Sequence, residues 1–494
     1  MTYPSPPPTP PSTSPPPNAQ GRDAPAGNRS MLIALIVAIA FFMETLDSTI
    51  IVTALPQMAA SFDIDVARLS IGVTAYLMAA AACVTASGWL ADRIGTRNLF
   101  CGAIGVFTAA SVICGLAHSF PVFIGGRVLQ GVAAAMMSPV GRMVVLRASS
   151  KKDLGRSLSA LIWPGLAAPV IGPPLGGFIT GMADWRWIFY VNVPVGLIGM
   201  ALVLAYIPNE RQAPKPFDAR GFVLMALALC ALTYGLDLLS LRDHGALSWG
   251  AALLLAAAVL GLFVRHHLAT AAHPLVNPAI LKVRSFFISS ISGGVISRAA
   301  ISATPFLLPL MFQLAYGMTP LQSGTLLLVY MLANLLMKTV TRPVLAAIGI
   351  RNALIWSSLV SGLGIALCGF VSPQAWLALN VVILAFAGAG RSMQLTAITM
   401  VNFADVAPPQ RQPASVLSSL TQQIGMGAGV AVGALLLTIS QTTRAGAALA
   451  LPDFQLALVL AGVMSASAAW FYRGLARDVG DDISGHVTPP RHPG

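Results

Sequence analysis

The chain has 494 residues, 56% of them hydrophobic and 9% charged, with a mean hydropathy of +0.76. A soluble domain carries about 25% charged residues, so a water-soluble enzyme or binding module is excluded and many membrane spans are implied. The net charge of +12 is spread along the chain rather than gathered into a patch, which excludes a nucleic-acid-binding surface.

Residues 1–30 open with TYPSPPPTPPSTSPPPNAQ, a Pro- and Ser-rich stretch that cannot build a core and reads as a disordered or polyproline-like tail. It lacks the basic and apolar regions of a signal peptide. Fourteen apolar stretches follow, at 32–55, 70–91, 99–117, 121–145, 157–180, 187–207, 221–240, 249–268, 286–313, 322–346, 352–371, 376–400, 414–438 and 453–472. Runs of about 20 apolar residues cross a bilayer as helices. With the N-terminus inside, twenty Lys and Arg fall on the cytoplasmic side and four outside (Arg68, Arg186, Arg242 and Arg444). That bias fixes the orientation with both termini cytoplasmic. The longer breaks at 208–220 and 269–284 bracket spans seven and eight. They divide the chain into a tail (1–30), a six-helix bundle (31–207), a linker with two extra transmembrane helices (208–284), a second six-helix bundle (285–473) and a disordered tail (474–494). The expected fold is an all-α integral membrane protein.

In the first span, FFMETLDSTIIVTALP (41–56), Glu44 and Asp47 stand three apart and share one helical face. An acid at this depth is costly unless it faces protein or water, and such acids serve as proton relays. The pair is therefore either a protonatable site or hydrogen-bonding glue between helices. The turn GWLADRIGTR (88–97) joins spans two and three and carries Asp92, Arg93 and Arg97. Gly88 is expected to let a neighbouring helix come close, Gly95 to take a positive φ, and Asp92 to accept hydrogen bonds from a facing helix N-terminus.

Arg127, in the fourth span, needs a partner, and the span interiors hold only three acids: Glu44, Asp47 and Asp237. Asp47 or Glu44 is the expected partner; the alternative is a structural arginine bonded to backbone carbonyls. Arg142 is near enough to the cytoplasmic end to snorkel. The fifth span contains WPGLAAPVIGPPLGG (163–177), with four prolines that bend the helix. Ala168, Gly172 and Gly176 form a small-residue stripe for close helix contact.

The C-terminal half holds Arg298, Lys338 and Arg391 within spans and no acid in the span interiors. If Arg298 and Arg391 line the path, they favour anionic, zwitterionic or neutral amphiphiles over permanent cations. Otherwise they are occupied by carbonyls at broken helices. The turn RPVLAAIGIR (342–351) reads as a worn copy of GWLADRIGTR without its Asp. All five cysteines lie in spans without metal or disulfide spacing. No phosphate-binding GxxxxGK[ST] loop, nucleophile triad or zinc motif is present. Neither a cofactor nor a metal is expected, and the chain is not read as an enzyme.

Four strings carry a resemblance. GWLADRIGTR resembles the G-x-L-A-D-R-x-G-x-[RK] loop of the major facilitator superfamily, and Arg127, Gln130 and Gly131 its R-x-x-Q-G signature. LDSTIIVTALP resembles the first-span signature of its 14-span drug:proton antiporter branch (EmrB/QacA type), with Thr53 where that branch usually has Asn. GPPLGG, through Gly172, Pro173, Gly176 and Gly177, resembles the antiporter signature G-P-x-x-G-G. The chain is most similar to the MdtD-like group of that branch, through GWLADRIGTRN, SPVGRMVV, ISRAAIS and LLMKTVTR.

The resemblance implies the major facilitator fold and a multi-pass exporter in the bacterial inner membrane. It would work by alternating access, driven by the proton gradient, and act as a monomer on a small-molecule substrate. Asp47, Glu44 and Arg127 would couple protons. Gly88, Asp92, Arg93, Gly95 and Arg97 would form a conformational lock. Gln130, Arg298, Arg391 and Lys338 are candidates for the substrate path. Two alternatives stay open: a dedicated carrier of an anionic metabolite, and a non-transporting sensor or scaffold.

Overall fold

The computed structural model describes residues 26–149, 154–211, 216–239, 244–271, 278–407, 410–444 and 449–486. The Pro-rich segment at 1–25 lies outside them, and the first helix already begins at Ala26, inside the expected tail. The described residues contain thirteen helices long and apolar enough to span a membrane, or fourteen with one bent pair counted as a span. In chain order they are α1 (Arg29–Phe62), α2 (Arg68–Val84 continued by Ser87–Ile94), α3 (Thr96–Leu116), α4 (Phe120–Ala148), α5 (Trp163–Met182) and α6 (Trp187–Tyr206). An insert of α7 (Ala219–Leu239) and α8 (Leu247–Thr270) follows. Then come α9 (Arg284–Ala315), α10 (Pro320–Ile348), α11 (Ile350–Cys368), α12 (Leu377–Ala404), α13 (Leu417–Thr443) and α14 (Leu451–Tyr472).

Helices α1–α6 and α9–α14 form two bundles with one packing plan. Within the first, α1 packs on α5, α2 and α3 on α4, and α3 and α1 on α6. Within the second, α9 packs on α13, α10 and α11 on α12, and α11 and α9 on α14. Apolar side chains facing lipid give no hydrophobic drive between helices, so close packing of small residues does much of the work. Gly131 illustrates the fit: a Cβ there would lie 2.2 Å from the Tyr76 carbonyl oxygen of α2. The bundles meet along two seams, α5 against α10 and α2 against α13, and α7 covers the second seam by packing on both of its helices. Asp237 of α7 is buried and accepts a hydrogen bond from Thr74 of α2. This acid therefore anchors the insert instead of serving Arg127.

The bundles touch most closely toward the periplasmic end. A Cβ on Gly177 of α5 would fall 2.3 Å from the Pro320 carbonyl oxygen of α10, and one on Gly324 of α10 would fall 2.3 Å from the Pro173 carbonyl oxygen. The Gln57 side-chain amide donates to Gln313 across the same end at 3.0 Å, and Gln313 donates to the Thr53 carbonyl at 2.9 Å. At the cytoplasmic end, the ion pairs of the α2–α3 turn stay within the first bundle. The conformation is thus closed to the periplasm.

Two sequence expectations need correcting. The segment after Arg473 is not wholly disordered: Leu475 and Val479 are buried against the second bundle, and the His486 ring bonds to the Ala346 carbonyl at 2.9 Å. Apolar residues spaced along a short polar segment gave that tail a docking face. The second bundle also has a buried acid, Asp453, the first residue of the last expected span. It accepts from Arg444 at 2.8 Å, Ser440 at 2.9 Å and the Ala450 N–H at 2.9 Å. Arg444 thereby joins the α13–α14 connection to the start of α14.

Candidate functional site

Five helices of the first bundle deliver polar groups to one buried point. Asp47 of α1 is 1% exposed, and Arg127 and Gln130 of α4 are fully buried. The Arg127 Nη1 donates to the Asp47 carboxylate at 2.7 Å and to the Gln130 Oε1 at 2.7 Å, while its Nε donates to the Gly72 carbonyl of α2 at 3.2 Å. Gln130 Nε2 donates to Asp47 at 3.2 Å and to Ser111 of α3 at 2.8 Å. Asn192 of α6 donates to Asp47 at 2.9 Å. The guanidinium carbon lies 4.6 Å from the ring centroid of Tyr76, a cation–π contact strengthened by exclusion of water. Asp47 thus accepts from three side chains.

Glu44 lies one turn toward the cytoplasm, is only partly buried, and accepts from Ser138 of α4 at 2.8 Å. The exposed Arg142 adds positive charge beside it. The two acids share a face of α1 but differ in access to water: Asp47 is sealed and Glu44 is reachable.

The second bundle repeats the scaffold. Arg391 and Gln394 on α12 stand three apart like Arg127 and Gln130, and Tyr330 precedes Gly349 by the same nineteen residues as Tyr76 precedes Gly95. Arg391 lies 5.9 Å from the Tyr330 ring centroid, Gln394 donates to Ser358 of α11 at 3.0 Å, and Ser465 of α14 donates to Gln394 at 3.3 Å. At the place of Asp47 stands Ser297 of α9, which accepts from Gln394 at 2.9 Å. Only the first bundle puts a carboxylate at this point. Arg391 instead donates to the Ile301 carbonyl at 3.1 Å. That carbonyl loses its usual i+4 helical donor because residue 305 is proline. One edge of the Arg391 guanidinium is therefore held by backbone. The Gln130 amide is likewise engaged inside the polar cluster. Lys338 is partly exposed on α10.

The turn residues cluster at the cytoplasmic end of the first bundle. Gly95 has φ 99° and Gly349, its counterpart, φ 76°, both conformations that side chains disfavour. Asp92 accepts from Arg147 of α4 at 3.4 Å, and Arg147 also faces Glu210 at 3.9 Å. Arg93 lies over the Trp89 ring at 5.2 Å, and Arg97 reaches Asn98 at 3.4 Å. Gly88 has no heavy atom within 4 Å of a built Cβ. The close helix approach expected of it is absent in this conformation. The glycines of GPPLGG divide their work. A Cβ on Gly172 would meet Thr49 Oγ1 at 2.3 Å, and one on Gly176 the Ile50 carbonyl at 2.5 Å, so both press α5 onto α1, while Pro173 and Gly177 press it onto α10.

Tyr76, Ser111, Asn192 and the Arg391–Gln394 repeat escaped the sequence reading. The R-x-x-Q spacing and the matched Tyr-to-Gly intervals were the available signals for the repeat; nothing local marks Asn192.

Two six-helix bundles packed along two seams, with a buried ion pair inside the first, define the class as a multi-pass membrane transport protein. The Major Facilitator Superfamily profile matches residues 37–265 and 290–490, and the chain belongs to that superfamily. It is 33% identical to MdtD of Pectobacterium atrosepticum, a protein named for multidrug resistance, over 82% of this chain and 86% of that one. It is 32% identical to the like-named protein of Serratia proteamaculans, over 81% and 84%. Among solved structures the fold is similar to a D-xylose–proton symporter (TM-score 0.63, 15% identity, 90% of this chain and 97% of that one). It is also similar to the human organic anion transporter MFSD10 (TM-score 0.58, 13% identity, 91% and 100%). The chain is a multi-pass integral membrane protein matching bacterial inner-membrane transporters of small molecules.

Proposed function

We propose that this protein is a proton-coupled antiporter that exports small amphiphilic molecules by alternating access. The observation that carries the reading is the asymmetry of the two polar clusters: equal scaffolds, with a titratable carboxylate in one and a serine in the other. In the cytoplasm-facing conformation Asp47 is paired with Arg127 as an anion, the state expected after a proton has left toward the cytoplasm. Glu44, one turn nearer that side and open to water, is the relay through which it leaves. When the protein faces the periplasm, Asp47 takes up a proton, releases Arg127 and lets the bundles rock back.

The test is transport in proteoliposomes with an imposed pH gradient. Antiport predicts substrate movement against the direction of proton flow; movement in the same direction would make the protein a symporter and overturn the reading.

A further expectation follows for the α2–α3 turn. Asp92 is the acid available to bond neighbouring helix ends when the cytoplasmic side closes. Asp92→Asn should shift the population toward the cytoplasm-open form and slow turnover several-fold. Thiol labelling of a cytoplasmic-cleft cysteine would report this, and labelling equal to that of the parent protein would refute it.

A further inference from the structure

Arg127, Arg391 and Arg298 lie on inner helices of the bundles, and the first two make hydrogen bonds within the protein. Arg127 has Asp47, Gln130 and the Gly72 carbonyl; Arg391 has the Ile301 carbonyl. Arg298 of α9 is 4% exposed, and its Nη1 is buried without a hydrogen-bond partner among the described residues. Withdrawing a guanidinium from water costs several kcal/mol unless an opposite charge answers it, and no described carboxylate forms an ion pair with this one.

The site is shaped around the side chain. Its stem lies on Gly425 of α13, where a Cβ would come within 2.6 Å of the Arg298 Cβ. Its head folds back beside Gly294, where a Cβ would come within 3.0 Å of Nη1. A larger residue at Gly425 would displace the arginine, and one at Gly294 would strike the Ser289 carbonyl oxygen, 1.8 Å from a Cβ there. Register gives its orientation. Ser297 occupies the place of Asp47, so Arg298 occupies that of Ser48, which is partly exposed on the face of α1 that also carries Glu44. Moreover, α9 is the most buried of the spans, with 78% of its apolar window inside the protein. A bilayer lipid therefore does not reach Arg298 from the outer face.

We propose that Arg298 is the anion-binding point of the substrate site, where the carboxylate, sulfonate or phosphate group of an amphiphile docks on the guanidinium while its apolar part lies between the bundles. This deepens the transport reading and rests on it for the cargo's identity as a substrate. The anion supplies the missing counter-charge, and a charge-assisted hydrogen bond in a water-poor cleft is strong. Permanent cations are disfavoured at the same point.

The test compares pyrenebutyrate with its neutral amide, pyrenebutyramide, by energy transfer from tryptophan in the full-length protein in neutral detergent. Equilibrium binding needs no proton gradient, so its outcome is independent of the antiport assay. The acid should bind at least about tenfold more tightly than the amide, the value of a hydrogen bond to a charged group. R298Q should bring the two ligands to equal affinity, and R298K should keep part of the difference. Equal binding by the unmodified protein overturns the proposal without any variant, as does a preference for the acid that survives R298Q. Phosphatidylglycerol and decanoate serve as competitors. Displacement by decanoate supports a substrate site; displacement by phosphatidylglycerol alone would assign the cation to a lipid headgroup and overturn it.

Discussion

Asp47→Asn is expected to abolish transport driven by a proton gradient while the protein still inserts in the membrane. The carboxylate accepts from Arg127, Gln130 and Asn192. A side-chain amide of the same volume offers a single acceptor oxygen and cannot exchange a proton. Removing one partner of a buried ion pair costs about 3–5 kcal/mol. Here Arg127 retains Gln130, the Gly72 carbonyl and the Tyr76 ring, which limits the loss to a lower melting temperature rather than failure to fold. Glu44→Gln should reduce coupled transport less, because water can replace the relay in a partly exposed position. The measurement is substrate flux in proteoliposomes under an imposed pH gradient, with melting followed in parallel. Normal gradient-driven flux in Asp47→Asn would place the coupling proton elsewhere. A pH-independent residual exchange of labelled for unlabelled substrate is the expected remainder, since binding and rocking no longer answer to a proton.

Gly177→Val is expected to reduce transport as severely by a different route. The Pro320 carbonyl oxygen, the Pro320 carbonyl carbon and the Leu321 Cα lie 2.3, 2.8 and 2.9 Å from a Cβ at this position. These are backbone atoms on a helix and cannot turn aside as a flexible side chain would. Relief requires α5 and α10 to separate along their periplasmic halves, which opposes closure to the periplasm. The adjoining Gln57–Gln313 bond is a convenient reporter, because its 3.0 Å separation marks the closed seam. In a cysteine-free background, Gln57→Cys with Gln313→Cys should cross-link readily, and adding Gly177→Val should slow the cross-linking at least several-fold. Unchanged cross-linking with unchanged transport would show that the contact is incidental. Expression and insertion should be preserved, since α5 keeps its contacts with α1 through Gly172 and Gly176.

The sequence by itself determined what depends on local, one-dimensional facts. Apolar lengths near the bilayer thickness set the spans, and the Lys and Arg bias set their orientation. The partner of Arg127 was legible because acids in the spans are so few that elimination nearly suffices. Gly95 was legible because a charged turn between two helices leaves one place for a positive φ.

Tertiary structure decided everything that depends on which distant groups meet. Asn192 and Ser111 look like ordinary span polar residues until five helices converge on Asp47. Gln130 joins that cluster for the same reason. Arg298 and Arg391 were equivalent buried cations in the sequence, and the fold separated them: Pro305 frees a carbonyl that Arg391 takes, whereas Arg298 rests between two glycines without a counter-charge. The sealed contact at Gly177 depends on how two bundles stand relative to each other. No local pattern encodes that, because an alternating-access protein is built so that the same helix contacts can hold in more than one arrangement.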